Sequence, residues 1–433
     1  MNDTEKPAPE QRLIPAHDNV WYWLATLHGE QNGADDDELA EMNRAAWLHW
    51  FAPPVSSDLY ATLIEKGIAP HELNPYTEPE RWKLLSDCAK RLGRKVPSSL
   101  PSRSEPVDFC NTHFESNVSF RGFLFFSPTD FTGAKFFARS YFDNATFSEY
   151  VYFRKTEFSE VAYFRGTKFS MRADFAEAEF SRLATYHKAT FSGIANFEEA
   201  KFSENAHFQR AKFSEEANFR EAKFAKRADF INSEFFSNTV FVGATFATSV
   251  PDFRGAELHE ATEWHGVSWP EPGISGKYQD QVYAYERLRQ EMERLKKPED
   301  EQFFVRKEFR AKRGLVKPWS GGWLLNFSYE FLSDYGHSIA RPLAGLLVLF
   351  LVGVPIFWLP PVLAGTSTTI WHAAAISFTN MLSIFPGVGK IMLAEQPVIL
   401  SGAFRLFAVA QFIFGALLLF LLGLALRNRF RMK

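Results

Sequence analysis

Near the C-terminus the stretch SIFPGVGK, residues 383–390, separates two long apolar runs. Ser383, Phe385, Pro386, Gly387, Val388, Gly389 and Lys390 bring together a hydroxyl, a rigid proline, two glycines and a cation. Backbone carbonyls around a Gly-x-Gly can replace the water around an ion in a pore. The same residues can also form nothing more than a turn. Gln411 is the only strongly polar side chain in the second apolar run, where it either lines a pore or bonds to another helix. Elsewhere there is no Walker loop, zinc cluster or nucleophile triad, and His28, His49 and His71 lack metal-ligand spacing. The chemistry expected is passage or docking, with no enzyme activity, cofactor or metal.

Membrane helices would have to position these residues. Residues 343–365 carry no charge and residues 406–426 carry none either, so each is long enough to cross about 30 Å of hydrocarbon. Pro355 is expected to kink the first span. The connection, residues 366–405, is too apolar for a simple solvated loop. Within it, residues 371–382 can form a helix of about 18 Å, short of a full crossing. A short helix that turns back makes a re-entrant segment, 367–390, whose non-helical backbone must be buried in protein or line water. Arg306, Lys307, Arg310, Lys312, Arg313, Lys317 and Arg341 precede the first span, and RNRFRMK follows the second. Both termini are therefore expected in the cytoplasm, with the spans in an inner membrane.

The order of span, short helix, Gly-x-Gly and span resembles the two-transmembrane pore-loop channels, a potassium-channel-like family of tetramers. The family filter reads Thr-Val-Gly-Tyr-Gly and then Asp. Aligned here, Gly387, Val388 and Gly389 stand for Gly-Tyr-Gly, Phe385 for the Thr, Pro386 for the Val, and Lys390 for the Asp. A hydroxyl ligand is lost, a proline restricts the backbone, and charge at the mouth is reversed. The resemblance therefore implies a pore-loop architecture without potassium selectivity. It also marks Gly415, midway along the second span, as a gating hinge, whereas a small residue there also suits close helix packing.

The middle of the chain repeats. Phe147, Phe153, Phe158, Phe164, Phe169, Phe175, Phe180, Tyr186, Phe191 and their successors to Phe246 alternate steps of six and five, and a small residue, most often Ala, stands two positions before nearly every ring. On a helix, rings five positions apart would diverge by about 140°, leaving no single stripe. In an extended chain, positions i−2 and i share a face. The pattern resembles the pentapeptide-repeat family, which folds as a four-sided right-handed β-helix. Four faces here need 22 residues per coil, with extra corner residues such as Ser203 and Ser214. Residues 109–246 would make about six coils of roughly 4.8 Å each, and such a stack needs capped ends.

Composition agrees with this division. The 433 residues include 46 Phe and only two Cys, Cys88 and Cys110, which suits a reducing compartment. The polar start has no apolar core of a signal peptide. Net charge runs from −6 over residues 1–100, through −2 over 101–253, to +5 over 254–433. The solenoid's near-neutral balance gives little field with which to imitate DNA, so no nucleic-acid partner is expected.

The sequence thus reads as a multidomain membrane protein. A flexible arm, 1–20, precedes a helical domain, 21–100, in which Trp21 and Trp23 pack or grip a ligand. A right-handed quadrilateral β-helix, 101–258, is followed by a helical hairpin or linker, 259–318, which either packs on the solenoid or forms a seam between subunits. An amphipathic elbow, 319–341, lies along the membrane lipid ahead of a two-span domain, 342–433. The functional expectation is a homo-oligomeric, tetrameric inner-membrane pore of unassigned selectivity, with a cytosolic solenoid that senses or docks a protein. The alternative is a membrane-anchored adaptor without conductance.

Overall fold

A computed structural model describes residues 13–30, 37–53, 57–65, 68–102, 104–270, 278–363, 369–382 and 402–431. The chain divides into two compact units, Met1–Gly276 and Lys277–Lys433.

The first unit is built on a β-solenoid of about six turns of paired strands. Its two-residue strands pair in parallel at a register of 22, as in Phe158 with Phe180 and Ala173 with Ala195. Among the described residues they form four sheets of eight, seven, six and six strands. The alternating step explains the coil. Three residues, 203–205, separate Phe202 from Ala206, whereas two, Gln209 and Arg210, separate Phe208 from Ala211. The shorter corner needs a left-handed residue, and Asn144, Lys155, Glu177, Lys188, Glu199, Arg210, Glu221 and Asn232 all take φ of 54–58°. Left-handed backbone costs an ordinary residue roughly 1–2 kcal/mol, so the stack must impose it.

What imposes it is the ring column. Phe153 and Phe175 lie 4.8 Å apart with planes within 4°, and Phe175 repeats this on Phe197 at 4.9 Å. Neighbouring columns meet edge to face, as Phe153 does on Phe164 at 5.5 Å and 86°. Such ring pairs add about 0.5–1.5 kcal/mol beyond their area. At two small positions where Thr replaces Ala, the buried hydroxyl donates to a carbonyl of the previous coil: Thr156 to Phe131 O at 2.8 Å and Thr167 to Phe142 O at 2.7 Å.

Both ends of the solenoid differ from the sequence expectation. It continues past 258, because Val240 bridges Glu263 and Thr245 bridges Ser268, while Trp264 stacks on Phe241 at 4.7 Å. These bridges sit at a register of 23, since Phe246 and Phe253 are seven apart. The single added residue leaves isolated bridges where earlier coils have ladders. At the other end, Ile14–Pro15 (β1) pairs with Thr112 and His113, so the arm contributes a strand.

Helices α1 (Val20–Ala25), α2 (Asp37–Phe51), α3 (Asp58–Glu65) and α4 (Glu78–Arg91) cover the first coil. Trp47 packs on Phe123 and Phe125, each at 5.3 Å, and Tyr22 packs on Phe114. Trp21 and Trp23 are buried, and the Trp23 indole donates to His17 O at 2.7 Å.

The second unit is helical: α5 (Tyr278–Arg294), α6 (Pro298–Gly314), α7 (Gly321–Ser333), α8 (Ala340–Leu363), α9 (Ile370–Leu382) and α10 (Gly402–Arg431). α5 and α6 pack as a hairpin, with Arg289 donating to the buried Glu308 at 2.9 Å. α8 continues as a helix through Pro355. Two helices are long and apolar enough to cross a membrane: Ala340–Leu363 and Leu406–Phe430.

Candidate functional site in the C-terminal helices

α8 and α10 run antiparallel. Leu346 clusters with Leu418 near the start of α8, and Phe357 meets Phe407 at 5.6 Å near its end. α9 also runs antiparallel to α8, since Met381 joins the Leu346 and Leu418 cluster while Phe378 meets Phe350 at 6.4 Å. With 13 residues α9 is about 20 Å long, short of the hydrocarbon thickness. It starts on the side where α8 ends and stops beside Gly415 and Leu418. Gly402 lies about 20 Å from Gly415 along α10. The end of α9 and the start of α10 are therefore separated by most of the length of α9.

A polar cluster holds α9 in place. Ser377 donates to Phe350 O of α8 at 3.1 Å. The Gln411 amide donates to Ser377 Oγ at 2.7 Å and to Leu349 O at 3.2 Å, and Asn380 donates to Gln411 Oε1 at 3.5 Å. All three side chains are buried. In hydrocarbon a polar group must find a protein partner, so this cluster specifies which helix faces meet. Two glycines let the helices come this close. A Cβ on Gly353 would overlap Ser377 Oγ and the Gln411 amide, and one on Gly415 would lie 2.5 Å from Met381 O.

Of the residues singled out in the sequence, Gln411 makes interhelical hydrogen bonds and Gly415 forms a close packing contact with α9. Ser383, Phe385, Pro386, Gly387, Val388, Gly389 and Lys390 lie outside the described residues. Ser377, Asn380 and Gly353 were not anticipated. A signal existed for the first two, as polar residues three apart in a largely apolar helix, but nothing in the sequence names their partners.

The face of α10 turned away from the cluster is apolar throughout its described middle: Val409, Phe412, Ile413, Phe414, Leu417 and Phe420 are exposed. Trp319, just before α7, and Trp323, Phe327 and Phe331 on it form a ladder of rings at 5.1, 5.2 and 6.1 Å. Trp319, Leu325 and Phe331 are the most exposed side chains there. Such aromatic surface next to a helix long and apolar enough to span suits the boundary between lipid and water.

The solenoid surface offers no comparable concentration of one charge. Its rows pair opposite charges along the axis, with Lys135 to Glu157 at 2.7 Å, Lys201 to Glu179 at 2.6 Å and Lys226 to Glu204 at 2.7 Å. Cys88 is buried, and burial pushes its thiol up to about 11. Burial, followed by Asp130 and Asp108, also raises the Cys110 thiol well above its ordinary value.

Comparison with protein families matches residues 142–185 and 175–223 to pentapeptide repeats (9 copies). No curated protein and no solved structure matches the chain.

Proposed function

We propose that the chain, which carries pentapeptide repeats wound into a β-solenoid and two helices able to cross a membrane, is a homo-oligomeric membrane pore of unassigned selectivity with the expected re-entrant segment, 367–390. The observation that carries this reading is where α9 stops. A 13-residue helix packed antiparallel to α8 ends inside the apolar layer, and α10 begins about 20 Å away on the side from which α9 entered. The last four carbonyls of a helix lack intrahelical partners, and its C-terminus carries partial negative charge. Inside hydrocarbon such an end needs protein or water around it. An anchor has no use for that arrangement; a water-filled pore shared by four copies supplies it. In this reading both termini and the solenoid lie in the cytoplasm, α7 rests on the inner leaflet, and the near-neutral solenoid docks a cytosolic protein.

A second reading, a membrane-anchored adaptor without conductance, is favoured by a different observation. Gln411 spends its amide on α8 and α9 of its own chain, and the exposed face of α10 is wholly apolar in its described middle, as a lipid-facing helix requires. Planar-bilayer recording of the purified protein, wild type beside Lys390→Glu, separates the two. Conductance whose reversal potential shifts toward cations in Lys390→Glu supports a pore with Lys390 at its mouth. Conductance unchanged by the substitution removes Lys390 from that role. Detergent-stable monomers without conductance at any voltage support the anchor.

A further inference from the structure

The link between α7 and α8 contains three successive residues in the left-handed region: Asp334 at φ 49°, Tyr335 at 58° and Gly336 at 79°. Asp tolerates this conformation at a helix end, and Gly adopts it freely, but a bulky aromatic residue there is an outlier. Such a conformation persists only where its surroundings over-determine it. Here the surroundings are two helices from opposite ends of the unit's sequence.

α6 holds the first two residues. Arg306 donates to Asp334 at 3.0 Å and Arg310 at 3.4 Å. Phe309 stacks on the Tyr335 ring at 5.3 Å, and the Tyr335 hydroxyl donates to Asn326 at 2.8 Å, which itself donates to Phe309 O at 3.1 Å. Glu330 is bound by Arg310 at 2.7 Å and by Arg313. α10 holds the third residue: Asn428 donates to Gly336 O at 3.0 Å, with Leu424 packed against Gly336. α8 joins through Arg341, which donates to Glu330 O at 2.7 Å.

We propose that this elbow is a switchable joint through which α6 controls the cytoplasmic ends of α8 and α10. With α6 seated, its arginines and Phe309 keep Asp334 and Tyr335 left-handed, and Gly336 O faces Asn428. When α6 moves away, Tyr335 relaxes to an ordinary conformation, the Gly336 carbonyl turns, and α10 loses its tie to the elbow. The α5–α6 hairpin is then the regulatory element of the membrane helices. The inference rests on the reading of α8 and α10 as membrane spans and not on whether the protein conducts.

Hydrogen exchange on the full chain in lipid nanodiscs tests it. In Arg306→Gln/Arg310→Gln, amides 334–338 should exchange about tenfold faster or more, as expected when charge-assisted bonds are removed. Amides 424–431 should accelerate with them, while amides beside Gln411 stay protected. Asn428→Ala alone should accelerate 424–431, and adding it to the double variant should bring little further change there. Acceleration confined to the elbow, or effects at 424–431 that simply add, would overturn the joint. Loss of protection throughout α8 and α10 in the wild type would instead sink the membrane reading, and a silent bilayer recording touches neither result.

Discussion

Placing one methyl group on Gly353 probes the proposed hold on α9. The Cβ of Gly353→Ala would overlap Ser377 Oγ and the Gln411 amide, which are bonded to each other at 2.7 Å. Either α9 shifts or Gln411 swings away. The second outcome loses the bonds to Ser377 and to Leu349 O. Interhelical hydrogen bonds in membranes average about 0.6 kcal/mol and reach about 1.7, and overpacking a close contact costs roughly 1–3. Together the expected loss is about 2–4 kcal/mol in the local stability of α9. Ser377→Ala alone removes one hydroxyl from the cluster and should cost about 1–2 kcal/mol. In the double variant the methyl meets less, so the two effects should fall short of additivity by about 1 kcal/mol or more. Hydrogen exchange of amides 373–381 in nanodiscs reads each corner of the cycle. Wild-type protection in Gly353→Ala, or strict additivity in the double variant, would refute the claim that this cluster holds α9.

Three further outcomes follow from the first unit. Tyr186 is fully buried in a Phe column, and its hydroxyl has no hydrogen-bond partner among the described residues. Tyr186→Phe should therefore raise stability by about 1–2 kcal/mol, seen as a higher urea midpoint of the β-sheet dichroism in detergent; a lower midpoint would show that the hydroxyl is bonded. Lys188→Gly relieves a left-handed lysine at φ 58°. The relief exceeds the added unfolded-state entropy of glycine by up to about 1 kcal/mol, and the same titration checks it, with destabilisation counting against an imposed conformation. Finally, because both thiols are held above their ordinary values, Cys88 by burial to about 11, neither should react readily with a maleimide at pH 8 in the folded protein; rapid labelling of Cys88 before unfolding would contradict its packing.

Much of the fold was legible because it depends on local spacing. A small residue at i−2 and a ring at i point the same way in any extended chain, so the six-and-five alternation dictates inward columns and a coil of 22 residues. The same logic failed at the margins. One added residue before Phe253 hides the last coil from a search for strict spacing, although Trp264 still falls on Phe241. Within the expected helical domain, the start of α4 is marked in a polar stretch by Thr77, whose N–H and hydroxyl both donate to Glu80 at 2.7 Å.

The helical site divides in the same way. Apolar length alone determined that residues 343–365 and 406–426 could span, that α9 could not, and that Gln411 and Gly415 were exceptional in their surroundings. Which partners they meet was decided by tertiary structure. Ser377 reaches Phe350, 27 residues away, and Gln411 reaches Ser377, 34 residues away. The pairing depends on the rotation and depth of three apolar helices. Hydrophobicity does not encode those quantities, because any apolar face satisfies lipid equally well, and only the directional bonds of a few polar groups and the close approach at two glycines choose among the faces.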